Sequence, residues 1–255
     1  MSERSIKNFI PNLITLTGLC FGLSSIRFSF LDDFKAALVC ILIAAICDVL
    51  DGLFSRLLKS QSDLGAELDS LADFLSFGVA PGFLIYFGIL ETLEIWGYFA
   101  VTAFIVFACL RLAIFNLNLP PSEDAKKRGY FLGIPTPAGA GLILLPLIHS
   151  FLDFNWGLEN PKLVAIYIGV VGLLMVSKIP TFSVKELNLN INRKFFLRFF
   201  VGFAIIVMLM INFLWQFLSV VGMIYILGIP FAIFIFRKNR HNKKEDCLLY
   251  TSDAA

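Results

Sequence analysis

Three observations predict an all-α, polytopic integral membrane bundle of about eight transmembrane helices with both termini cytoplasmic. The chain is 58% hydrophobic with a mean hydropathy of +0.82, whereas a soluble domain is about half apolar. Only 16% of its residues are charged, against about a quarter in soluble domains. The apolar residues gather into long runs, and the basic residues between the runs alternate in density from one loop to the next.

A helix needs about 20 apolar residues to cross the hydrocarbon core, and eight such runs are readable: 9–30, 34–57, 65–90, 94–117, 133–152, 161–178, 196–214 and 217–236. The first is long and lacks a small-residue cleavage pattern after it, so it reads as a retained span and not a cleavable signal. The second ends, and the third begins, in aspartates. The fourth ends near Arg111 and Asn116, and the fifth opens on Pro135 and Pro137. The last two are joined by a very short turn near Trp215–Phe217, which makes them a helical hairpin or a re-entrant pair. Residues 1–240 read as one membrane domain. Residues 241–255 read as a polar, disordered tail whose end, from Cys247, changes character abruptly and reads as partly non-native.

Loop charge sets the orientation. Of the 21 lysines and arginines, Arg27, Lys35 and Lys162 fall on one side, which leaves 21 − 3 = 18 on the other. The dense side carries Arg56 and Lys59, Lys126 to Arg128, Lys185 to Arg198, and the tail from Arg237. That side is cytoplasmic, and losing one helix from the count would scatter the bias. No second copy of the aspartate pattern occurs, so an inverted-repeat transporter has no support. Cys20, Cys40, Cys47, Cys109 and Cys247 show no CxxC spacing and read as reduced side chains. His149 and His241 are not placed as metal ligands.

The chemistry-bearing feature is the spacing D-x2-D-G-x2-S-R-x8-G-x3-D-x3-D, from Asp48 through Asp51, Gly52, Ser55, Arg56, Gly65 and Asp69 to Asp73. Residues three and four apart share a helix face, so Asp48 and Asp51 point one way from the second helix, as Asp69 and Asp73 do from the third. The connecting turn is short and polar, which makes the helices antiparallel neighbours and lets the two acidic faces converge. A carboxylate at bilayer depth costs about 3 kcal/mol or more, and four together repel unless cations sit among them. Oxygen-only ligands favour Mg²⁺ or Mn²⁺, and four carboxylates can hold two such ions as a clamp on a transferring phosphoryl group. Gly52 and Gly65 allow close approach of a flat ligand, and Arg56 suits phosphate oxygens. A pairing hydrogen bond accounts for one buried aspartate and a proton relay for two, but neither accounts for this set. A cation transporter would spread its acids along several helices, and a scaffold gains nothing from a complete metal set.

The same pattern resembles the signature of the CDP-alcohol phosphotransferase family, with Ser55 where the family usually has alanine. The resemblance implies that Asp48, Asp51, Asp69 and Asp73 bind two divalent cations and that Asp73 is the general base. It further implies that Arg56 binds the pyrophosphate, that Gly52 and Gly65 border the cytidine, and that Asn12 and Thr15 (within 11–15), Ser55 and the loop hydroxyl Ser62 complete the CDP-diacylglycerol site.

Further stretches are similar to the family members that transfer the phosphatidyl group of CDP-diacylglycerol to L-serine. These are Ser70 to Pro81 (SLADFLSFGVAP), Arg111 to Asn116 (RLAIFN), Gly133 to Ala140 (GIPTPAGA) and the loop 177–185. Ile114 stands where those members carry a second arginine. The similarity extends to about Phe236 and implies a homodimer. The loop charges put the aspartates on the cytoplasmic side, the cytoplasmic membrane is the expected location, and no nucleic-acid partner is expected. Other acceptors of the family, such as choline, inositol phosphate or glycerol 3-phosphate, stay open, although a phosphorylated acceptor calls for more basic residues than Arg56 and Arg111. Two readings stand for Arg111, snorkelling to the interface or serine binding, and two for Asn116, a helix C-cap or serine binding. Pro135 and Pro137 shape a helix entrance or contact ligand, and Lys126 to Arg128 meet anionic headgroups or substrate.

Overall fold

The computed structural model describes residues 3–58, 62–117, 130–177, 180–182, 208 and 212–230. They belong to two compact units, Met1–Leu119 with Pro135–Val176, and Pro120–Ile134 with Ser177–Ala255. The predicted span 196–214, the basic stretches 126–128 and 193–198, and the tail lie almost wholly outside the described residues.

The described residues of the first unit form helices joined by turns. Helices α1 (Glu3–Phe30) and α2 (Phe34–Leu57) form an antiparallel hairpin whose turn is closed by Asp33, which accepts from the Ala36 amide and caps α2. The third span starts as α3 (Asp63–Asp73), with Ser62 as its N-cap. It then passes through a π-helical segment (Phe74–Val79), α4 (Ala80–Ile85), a second π segment (Tyr86–Leu90) and a 3-10 turn (Glu91–Leu93). In the π segments the amides of Ala80 and Glu91 reach back five residues, to the carbonyls of Leu75 and Tyr86. Helix α5 (Ile95–Asn116) follows after a single turn residue, Glu94, held at φ 50°.

Four of these helices, Ile10–Phe30, Phe34–Leu57, Asp63–Leu93 and Ile95–Asn116, are long and apolar enough to span a membrane, as expected from the sequence. Inside them, hydroxyls return hydrogen bonds to the carbonyl four residues back (Thr17 to Leu13, Ser24 to Cys20, Ser29 to Ser25). This satisfies groups that hydrocarbon cannot.

The later apolar helices are shorter. Helices α6 (Thr136–Ile143) and α7 (Leu145–Ser150) break at Leu144 because Pro146 supplies no amide to the Leu142 carbonyl. Tyr167, on α9 (Pro161–Val176), donates its hydroxyl to that carbonyl at 2.9 Å and repairs the loss. The short α8 (Trp156–Glu159) leads into α9, and its indole donates to His149 Nδ1 at 2.9 Å.

In the second unit two three-residue strands depart from the all-α expectation. β1 (Tyr130–Leu132) pairs antiparallel with β2 (Pro180–Phe182), both in stretches between apolar runs. The turn expected near Trp215–Phe217 is absent. Helix α10 (Leu214–Pro230) runs through those residues, and the bend falls at Phe213, whose carbonyl accepts from Phe217. No glycine or proline stands at 215–217 to interrupt the helix.

Candidate divalent-cation and nucleotide site

The acidic faces of α2 and α3 do converge, and α1 packs on both helices. Carboxylate oxygens of Asp48, Asp51 and Asp69 all lie within 4.8 Å of one another. Asp73 stands outside this tight cluster but lines the same small cavity, of about 10 Å³. Its other walls are Thr15, Gly18, Ala44, Ala72, Ser76 and Phe77. Asp51 is the most enclosed of the four, 5% exposed. Its Oδ2 accepts from the Thr15 hydroxyl, which also approaches the Pro11 carbonyl. Thr15 therefore orients a carboxylate as well as bordering the ligand space.

A groove of about 380 Å³ opens beside the cavity, lined by Pro11, Asn12, Thr15, Asp51, Gly52, Ser55, Ser62, Asp63, Gly65, Ala66 and Asp69. Six of the seven residues expected to hold the CDP-diacylglycerol are in that lining. Gly65 allows the α1–α3 contact that forms the groove, since a Cβ there would meet both Asn12 Oδ1 and Ser62 Oγ at 3.0 Å. At Gly52 the space is open, and only Arg56 Nη2 would come within 4.0 Å of a Cβ. Ser62 caps α3 by accepting from the Gly65 amide at 3.1 Å, and Ser55 donates to the Gly52 carbonyl.

Arg56, the seventh, is placed differently. Its side chain is exposed and folds back so that Nε donates to the Gly52 carbonyl at 2.8 Å, and it lines neither space. A one-turn spacing from Gly52 makes this local hydrogen bond easy to form.

Arg111 and Asn116 come to the same end of the unit. Asn116 Nδ2 donates to Ser70 Oγ at 2.9 Å, tying the last turn of α5 to the residue after Asp69. Arg111 is buried, 9% exposed, with its guanidinium 5.5 Å from the Phe115 ring. Neither residue lines the cavity or the groove. Sequence reasoning missed Ser76 and Asp63. Ser76 had a signal, since it stands three residues after Asp73 on the same helical course, whereas nothing in the spacing singled out Asp63.

The side chains that offer ligands at the cavity, Thr15, Asp48, Asp51, Asp69, Asp73 and Ser76, are oxygen donors only. Four neighbouring carboxylates fit hard divalent cations such as Mg²⁺ or Mn²⁺.

The family model for CDP-alcohol phosphatidyltransferase matches residues 8–176, which include every residue of the cavity and groove. The chain belongs to that family of membrane transferases. Among its curated relatives, the CDP-diacylglycerol–serine O-phosphatidyltransferase of Mycobacterium leprae is 38% identical over 182 residues, covering 70% of this chain and 60% of the relative. The proteins of the same name from Helicobacter pylori and Bacillus subtilis are 35% and 36% identical, over 71% and 68% of this chain and 76% and 89% of theirs. The chain thus spans about 60% of the length of the mycobacterial relatives it matches.

Proposed function

We propose that the protein transfers the phosphatidyl group of CDP-diacylglycerol to L-serine, releasing CMP and forming phosphatidylserine. One observation supports this above the others: an all-oxygen carboxylate cluster opens directly onto a groove lined by Asn12, Thr15, Gly52, Ser55, Ser62 and Gly65. The names of the relatives supply the acceptor.

In this reading Asp48, Asp51, Asp69 and Asp73 hold two divalent cations, Mg²⁺ or Mn²⁺. Such ions neutralise a pyrophosphate and the charge that develops on the leaving nucleotide. Thr15 keeps the Asp51 carboxylate turned toward the cluster. Asp73 removes the proton from the serine hydroxyl as that oxygen attacks the lipid-side phosphorus and the bond to CMP breaks. Arg56 swings from the Gly52 carbonyl to the pyrophosphate when the nucleotide arrives. Arg111 and Asn116, at the end of α5, receive the carboxylate and ammonium of serine.

Residues 1–240 form one membrane domain of about eight spans with both termini cytoplasmic, acting as a homodimer in the cytoplasmic membrane. The site faces the cytoplasm, where CDP and serine arrive while both acyl chains stay in hydrocarbon.

The test is a release assay on purified protein with labelled CDP-diacylglycerol and, in turn, serine, choline, inositol phosphate and glycerol 3-phosphate. Serine-dependent CMP release well above the other acceptors is expected. Equal or greater release with another alcohol reassigns the acceptor, and metal flux into proteoliposomes without CMP release points to a transporter.

A further inference from the structure

Two buried hydroxyls among the described residues, those of Ser25 and Ser76, have no hydrogen-bond partner. They are not equivalent. Ser25, 0% exposed, borders neither the carboxylate cavity nor the groove. Ser76, 3% exposed, is one of the residues that wall the cavity holding Asp48, Asp51, Asp69 and Asp73.

An unpaired buried hydroxyl is destabilising, so Ser76 calls for a partner. The π-helical stretch Phe74–Val79 begins immediately after Asp73 and carries Ser76 in its first half; such single-turn departures often mark functional sites. The neighbouring helix makes room for this hydroxyl. A Cβ at Gly22 of α1 would come within 2.6 Å of Ser76 Oγ and 2.9 Å of Leu75 Cδ2.

The carboxylates alone leave coordination positions open. Mg²⁺ takes six oxygens in near-octahedral geometry, several of them commonly waters or substrate phosphates, so two ions have room for a neutral protein oxygen beside the four carboxylates. The other hydroxyl on the cavity wall, Thr15, is already engaged by Asp51. Ser76 is the hydroxyl on that wall whose oxygen has no hydrogen bond of its own.

We propose that the Ser76 hydroxyl is a further, neutral oxygen donor of the divalent-cation site, presented to the cavity by the π-helical turn that follows Asp73. This rests on reading the aspartates as a cation site, and the experiment separates the two. Mn²⁺ affinity is measured by electron paramagnetic resonance titration of the purified full chain, with thermal stability followed in parallel, for the unmutated protein, Ser76→Ala and Ser25→Ala.

The expected result is that Ser76→Ala weakens Mn²⁺ binding about tenfold, the scale seen when supporting groups at a metal site are removed. Its melting temperature should be unchanged or higher, because an unpaired hydroxyl has been deleted. Ser25→Ala should match it in stability and keep the original Mn²⁺ affinity. Should Ser76→Ala fold poorly, Ser76→Cys keeps the volume with a poor hard-cation donor and should show the same loss of affinity. Unchanged Mn²⁺ affinity in the Ser76 variants overturns the proposal, as does a loss shared by Ser25→Ala or one that tracks a fall in melting temperature. No Mn²⁺ binding by the unmutated protein overturns the cation reading itself.

Discussion

Asp73 differs from the three aspartates it accompanies, because its carboxylate lines the cavity without entering the 4.8 Å cluster. That separation suits a group that must exchange a proton more than one devoted to coordination. Replacement Asp73→Asn should lower turnover by about two to four orders of magnitude, the usual contribution of a positioned base. Mn²⁺ binding by the remaining triad should persist in the same variant. Turnover near the original rate in a CMP-release assay would remove Asp73 from the base role. Arg56 shows the opposite relation between spacing and place. Its motif position predicts a phosphate contact, yet its side chain rests on the Gly52 carbonyl, since a flexible, exposed arginine readily takes an acceptor one turn away.

The third apolar helix carries most of the design at the level of elements. It begins with the acidic cluster, passes through two π segments and ends in a 3-10 turn, all within Asp63–Leu93. The turn into α5 is so tight that a Cβ on Gly97 would sit 2.2 Å from the Leu90 carbonyl oxygen and 3.0 Å from its carbon. Backbone cannot rotate aside as a side chain can. Gly97→Ala should therefore destabilise the protein by about 1–3 kcal/mol, seen as a lower melting temperature in detergent, and an unchanged melting curve would contradict the close approach. The apolar length of this helix was legible in the sequence. Its π segments were not, because a shift from four- to five-residue hydrogen bonding is set by neighbouring packing, at Gly22 for example, and leaves no periodic trace. The break at Leu144 was legible only in hindsight through Pro146, and the Tyr167 hydroxyl that repairs it comes from 25 residues away.

For the whole molecule, the asymmetry of basic residues makes a directional prediction. With the native cysteines replaced, a single Glu159→Cys, in the exposed end of α8, should react with a membrane-impermeant thiol reagent in intact cells. Lys127→Cys, in the basic stretch between the fourth and fifth spans, should react only after the membrane is opened. The reverse labelling would invert the proposed orientation and put the aspartates on the wrong side for cytosolic CDP and serine.

Composition and spacing were enough to establish a membrane-embedded helical protein, four long spans with nearly their observed bounds, and the residues of an oxygen-rich site. Hydropathy and the 3.6-residue period are local properties, carried by each segment alone. Which acids meet within 4.8 Å, which one stands apart, where Arg56 rests, and that Ser76 joins the cavity wall all depend on how α1 is wedged against α2 and α3. Contacts between helices arise from shape matching over residues far apart in the chain, so they became visible only once the helices were packed.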